Sequence, residues 1–217
     1  MSDDPETARQ IGELLPGDRP LLVLDVDDVL LEFIRALPRF LDERGFLLTV
    51  ASFRLTGNIT ERASGRLAEQ AEVWSLLDEF FHRQADWQEA IDGAAEALDE
   101  LGRGAEIVML TPIPHRHRAI RRAHLDTLGL HYPLLTTEMA KGPAVARLRG
   151  RRQRPVAFVD DQPPNHLSVR ESVADAHLFH LMSDNSLRAL LPPLPDDIHV
   201  VQDWKDATPR IARALGL

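Results

Sequence analysis

The chain contains no cysteine among its 217 residues. That excludes disulfides, thiolate metal ligands and a cysteine nucleophile, and it suits a reducing compartment. Nor does it contain an apolar run of the roughly 18 or more residues that a membrane span requires. The opening segment MSDDPETARQ is acidic and has no apolar signal core. The expectation is therefore a cytoplasmic protein with no membrane partner. Internal repeats and low-complexity linkers are also missing. Lysine is nearly so: of the 25 basic residues all but Lys141 and Lys205 are arginine. A residue type used so sparingly makes each of its positions informative. The formal charge of −9 argues against a nucleic-acid polymer as partner.

What is present is an ordinary apolar fraction of 44%, in a chain long enough for one sizeable domain with an insertion. Short apolar runs alternate with longer amphipathic segments, the pattern of a parallel α/β sheet. Strands are expected at Leu21–Asp25, Glu106–Leu110, Tyr132–Thr136, Val156–Val159, His177–Leu181 and Ile198–Val201. Helices are expected at Ala90–Leu101, Arg116–Leu128, Pro143–Leu148, Ser186–Leu191 and Thr208–Leu215. The rhythm breaks between Phe33 and about Gln88, where no β-run of four or more occurs. Apolar residues recur there at helical spacing (Leu67, Ala71, Trp74, Leu77, Phe80, Phe81). We therefore expect a helical subdomain, residues 33–88, inserted after the first strand of an α/β core formed by 1–32 and 89–217.

In an open parallel sheet, ligands bind beyond the carboxyl ends of the strands. The first strand, LLVL, runs into Asp25, with Asp27 and Asp28 just beyond. EIVML ends at Thr111, and VAFV ends at Asp160 and Asp161. Lys141 opens a helix after the third strand, with a proline in its first turn. Separate elements thus deliver Asp, Thr, Lys and an Asp pair to one edge. Two carboxylates 4 Å apart repel by roughly 4 kcal/mol at an effective dielectric of 20. A hard divalent cation offsets that repulsion, and oxygen-only ligands beside a phosphate favour magnesium. Strand-end aspartates also cap helices without doing chemistry. It is the convergence of Thr111, Lys141 and Asp160 that weighs against that plainer reading of Asp25 and Asp27.

These motifs resemble those of the haloacid dehalogenase (HAD) superfamily of aspartate-nucleophile hydrolases. LLVLDVDDVL is similar to its first motif, IVMLT to its second, Lys141 to its third and VAFVDD to its fourth, in the family's order from Asp25 to Asp161. The resemblance implies a Rossmann-like sheet between helices, with a small helical cap inserted between the first two motifs. DVDDVLLEF and TPIP are similar, more narrowly, to the 5'(3')-deoxyribonucleotidase branch. By resemblance and by chemistry, Asp25 is expected to attack phosphorus, and Asp27 to serve as acid and then as base. Asp25, the Asp27 carbonyl and Asp160 would hold Mg2+, with Asp161 a ligand or the support of one. Thr111 and Lys141 would bind the phosphoryl group. Asp28 stands where many relatives carry glycine.

The same comparison narrows the reaction. Asp27 disfavours a dehalogenase, which needs no acid there. The absence of lysine from 33–88 disfavours a phosphonate hydrolase working through a Schiff base. A phosphate monoesterase remains, acting on a small phosphorylated substrate that fits under a lid. A nucleotide is the first candidate and a sugar phosphate the second; a phosphomutase and a non-catalytic phosphate binder are the alternatives. HRHRAIRR follows Thr111, so His115 is a candidate substrate contact, as are Arg54, Asn58 and His82 in the cap. The RLRGRRQR stretch precedes the fourth motif's strand and belongs at the opposite edge, as a solvated turn. Asn165 is expected to buttress the acidic loop.

Overall fold

Buried parallel strands read as near-continuous apolar runs because both faces of the sheet are covered, and four of the six core strands obey that rule closely. The structure, a computed structural model, describes residues 4–15, 17–49 and 55–217. In chain order the elements are α1 (Pro5–Gly12), β1 (Leu21–Leu24), α2 (Ala36–Glu43), β2 (Phe46–Leu48), β3 (Ile59–Glu61), α3 (Gln70–His82) and α4 (Ala94–Leu101). There follow β4 (Glu106–Thr111), α5 (Arg118–Thr127), β5 (Leu134–Thr136), α6 (Lys141–Arg149), β6 (Val156–Asp160), α7 (Pro163–Ser172), β7 (His177–His180), β8 (Ile198–Val200) and α8 (Trp204–Leu215).

Six strands form one parallel sheet in the order β5-β4-β1-β6-β7-β8. The side-chain period of two divides each strand between two cores. Leu22 and Leu24 face one layer, with Met109, Val159, Leu98 of α4 and Ile211 of α8. Leu21 and Val23 face the other, with Leu110, Phe158, Val145 of α6 and Val169 of α7. The fold is therefore an α/β sandwich with helices on both faces. No helix among the described residues is long and apolar enough to cross a membrane.

The inserted segment has its own apolar cluster, including Leu37, Phe40, Ile59, Val73, Leu77, Phe80 and Trp87. It is not purely helical. β2 and β3 pair antiparallel within it, and at three residues each they are too short to show as a sequence run. Leu67 and Trp74, expected in this core, are exposed, so the helical period there is real but begins later and faces differently. The structure also adds two helices that the apolar pattern hides. α1 starts with Asp4 capping two backbone N–H groups and with proline at its first position, and it buries Thr7 and Gln10 rather than an apolar stripe. α7 likewise starts on proline and buries His166 beside Val169. The segment expected as a helix at Ser186–Leu191 is a 3-10 turn, Asn185–Leu190.

Candidate active site

From β1 the chain goes to β4 and β5 on one side and then crosses to β6, β7 and β8 on the other, so the ends of β1, β4 and β6 surround the point where the order switches. This is the crevice where open α/β sheets bind ligands. Asp25 follows β1, Thr111 ends β4 and Asp160 ends β6, and all three are buried. Lys141 reaches the same place from the first residue of α6. Gly142 lets that helix come close: a Cβ on it would lie 2.0 Å from the Ser168 carbonyl oxygen of α7.

Lys141 Nζ lies 2.9 Å from Asp25 Oδ2 and 2.7 Å from Asp160 Oδ2, with only 1% of its side chain exposed. Burial alone would lower the lysine pKa, but the charges of Asp160 and Asp25 outweigh it and raise it, so the ammonium form is secured. Asp160 is nearly saturated. Its carboxylate accepts from the Gln162 N–H at 2.8 Å, from Asn165 Nδ2 at 2.9 and 3.1 Å, and from Lys141. Asn165 thus supports the acidic loop, and His166 Nε2 lies 3.1 Å from the Asp160 carbonyl.

Asp161 has fewer partners; Gln162 Nε2 donates to it at 2.5 Å. Burial first, then the charges of Asp160, Asp25 and Asp28, push its pKa well above the ordinary carboxylate range. Asp25 is pushed up to about 7 by burial, with the charges of Asp160 and Asp27 adding to it and Lys141 opposing. Asp25, Asp160 and Asp161 each offer an oxygen within 4.8 Å of the others. Three buried carboxylates facing one lysine leave negative charge uncompensated, and the donors are hard oxygens. The set fits a small divalent cation such as Mg2+. Asp161 has the freest oxygen for it: Asp25 accepts from the Val26 N–H at 2.7 Å as well as holding Lys141, and Asp160 is shared among Lys141, Gln162 and Asn165. The Thr111 hydroxyl is buried with no partner among the described residues, an open donor at the same edge.

Asp27 is engaged through one oxygen. Its Oδ1 accepts from Gln88 Nε2 at 2.8 Å and from Arg121 Nη1 at 3.0 Å. Asp28 has φ +57°, a left-handed conformation that favours glycine, and among the described residues no other non-glycine residue shares it. Its carboxylate accepts from the Phe33 and Ile34 N–H groups and from Ser183 Oγ at 2.6 Å, so it locks the loop after β1 to the loop after β7. A cavity of about 260 Å³ opens above Asp25, Asp27 and Asp161. Phe33, Leu48 and Phe81 of the insertion line it, together with Ile113 and Met182.

Several expected contacts lie elsewhere. His115 is not a cavity residue. Its ring sits 2.7 Å from Thr136 Oγ1 and 3.0 Å from Asp4 Oδ2, pinning α1 to the core. His117 contacts Asp78 of α3 at 2.6 Å and so joins the insertion to the core. Asn58 is buried without lining the cavity, and His82 is exposed at the end of α3. Arg54 lies outside the described residues. The arginine-rich stretch before β6 is at the far edge and largely neutralised, with Arg149 paired to Asp175, Arg152 to Asp18 and Arg154 to Glu106. Gln88 and Arg121 are the residues that sequence reasoning missed. Arg121 lies within HRHRAIRR, but only the fold shows which of its basic residues turns inward.

No protein-family model matches the sequence, and no curated protein matches it. Solved structures do. A HAD family hydrolase from Deinococcus radiodurans R1 with bound phosphate and sodium is similar over 92% of this chain and 96% of its own, with a TM-score of 0.58 and 17% identity. A predicted phosphoglycolate phosphatase from Haemophilus somnus 129pt gives a TM-score of 0.61 at 12% identity, covering 90% of this chain and 99% of its own. A HAD hydrolase from Bacillus subtilis bound to magnesium gives 0.60 at 14% identity, covering 93% of this chain and 100% of its own. The fold is that of the HAD-like hydrolases.

Proposed function

We propose that the protein is a magnesium-dependent phosphate monoester hydrolase acting on a small organic phosphate, with a nucleotide as the first candidate substrate. The observation that carries this reading is the buried set of Asp25, Asp160 and Asp161 around Lys141, opening to a cavity. Such a set of charges is costly unless something compensates it, and a phosphoryl group with its cation is the matching ligand. The fold shared with the Deinococcus and Bacillus hydrolases supports it, as does the phosphate in one and the magnesium in the other. The same fold in a phosphoglucomutase-like protein from Thermotoga maritima keeps a mutase as the second reading. The narrower likeness to deoxyribonucleotidases rests on DVDDVLLEF and TPIP alone.

In this reading an Asp25 carboxylate oxygen attacks phosphorus and the bond from phosphorus to the leaving oxygen breaks. Asp27 gives that oxygen its proton. Asp27 then takes a proton from water, the water oxygen attacks phosphorus, and Asp25 is released. Lys141 and the Thr111 hydroxyl hold phosphoryl oxygens while negative charge builds on them. Asp25, the Asp27 carbonyl and Asp160 would hold the cation, with Asp161 a further ligand or the support of one. Magnesium, when bound, supplies Lewis-acid stabilisation of the phosphoryl oxygens.

The test is phosphate release from p-nitrophenyl phosphate, nucleoside monophosphates and sugar phosphates, with magnesium and with EDTA. Turnover that needs magnesium and favours one substrate class supports the proposal. A folded, magnesium-loaded protein that turns over nothing in the panel would sink it and leave the non-catalytic binder.

A further inference from the structure

Arg121 is fully buried, which is costly for a guanidinium unless it is paired and hydrogen-bonded. What it does there is specific. Its Nη1 donates to Asp27 Oδ1 at 3.0 Å, and its Nη2 donates to Gln88 Oε1 at 3.3 Å. Gln88 Nε2 donates to the same Asp27 oxygen at 2.8 Å. Three hydrogen bonds therefore close a ring through three side chains. Arg121 comes from α5 of the core, Gln88 from the segment returning from the insertion, and Asp27 from the loop after β1. The guanidinium carbon also lies 5.7 Å from the centre of the Phe81 ring, which lines the cavity from α3.

We propose that Arg121 and Gln88 are positioning residues that fix the orientation of the Asp27 carboxylate. The role rests on the reading of Asp27 as acid and base. An aspartate's terminal torsion is soft and roughly two-fold, so packing alone fixes it weakly. Two donors converging on Oδ1 remove that freedom. No described residue donates to Oδ2, which leaves it for the leaving oxygen and then for water. The planar fork of arginine serves both partners at once, which a single ammonium does less well. Through Phe81, the same guanidinium makes the arrangement sensitive to where the insertion sits over the cavity.

The experiment combines Arg121→Met, Arg121→Lys and Gln88→Leu with Asp27→Asn, assayed with p-nitrophenyl phosphate and magnesium. In the wild-type background, Arg121→Met and Gln88→Leu should lower kcat by roughly 10- to 100-fold, the scale set by misplacing an acid-base group. KM should stay within about threefold, and Arg121→Lys should recover part of the loss. With Asp27→Asn already present, either change should cost no more than about twofold. Equal losses in both backgrounds, or a loss confined to KM, would overturn the proposal. Crystal structures supply a readout independent of activity: Asp27 should occupy more than one rotamer in Gln88→Leu. An unchanged single rotamer there would count against the role. If the wild type turns over no phosphate ester, the enzymatic reading falls, and the rotamer still decides whether the ring positions Asp27. Should Arg121→Met not fold, Gln88→Leu carries both measurements.

Discussion

Asp28 shows how much one residue can be asked to do. It takes a backbone conformation suited to glycine and repays the strain by accepting hydrogen bonds from Phe33, Ile34 and Ser183. Asp28→Asn keeps an acceptor and a residue that tolerates φ > 0, so it should be the mildest change. Asp28→Gly relieves the strain but loses the bonds, and should cost about 1–3 kcal/mol. Asp28→Ala loses the bonds and keeps the strain, adding about 1 kcal/mol more. Urea unfolding of the three variants checks the order. Lys141 is the other case. Lys141→Met leaves Asp25 and Asp160 without their shared cation and should destabilise the magnesium-free protein by about 3–5 kcal/mol; a loss near zero in the same assay would mean that the carboxylates are held some other way.

Among elements, α6 has the strictest requirement. Gly142 donates its N–H to Ser168 Oγ at 3.0 Å and leaves no room for a methyl group against α7. Gly142→Ala should cost about 1–3 kcal/mol through overpacking. Because Lys141 precedes it, turnover should fall more than unfolding of the site explains. Thermal unfolding and kcat measured on one preparation separate the two effects. The elements also show what the sequence could reveal. LLVL, EIVML and VAFV are visible as strands because both their faces are buried, and each points at a polar residue that ends at the crevice. α1 and α7 were invisible because they bury Thr7, Gln10 and His166 where periodicity looks for apolar side chains. β2 and β3 were too short to register. The Arg121–Gln88–Asp27 ring joins positions 27, 88 and 121, and no local pattern encodes a pairing made only by the tertiary fold.

For the molecule as a whole, buried ionisable groups set the response to acid. His180 has no exposed surface and, among the described residues, no partner for either ring nitrogen. Burial, helped by the charges of His166 and Arg188, lowers its pKa from 6.5 to about 4. The unfolded chain therefore binds a proton between these values that the folded chain refuses, and stability falls as pH drops from 6.5 towards 4. Asp28, raised to about 6 chiefly by burial, acts in the opposite sense, because its folded form binds the proton first. Asp25, raised to about 7, and Asp161, raised well above the ordinary carboxylate range, act in the same sense as Asp28, so wild-type stability mixes them all and the informative quantity is the difference from His180→Leu. That variant should lose less stability between pH 6.5 and 4 than wild type, measured by chemical denaturation at each pH. Parallel profiles would show that His180 does not contribute.

Most directly, the account depends on Asp25 as the attacking group. Its carboxylate is buried at the end of β1, held by Lys141 and faced by Asp160 and Asp161. Asp25→Asn keeps the shape and removes the nucleophile. The deciding measurement is steady-state phosphate release by this variant against wild type, with saturating magnesium and the preferred ester. The account predicts a fall of at least about a thousandfold in kcat, since the covalent step is lost. Turnover within about tenfold of wild type would contradict it and move the chemistry away from Asp25.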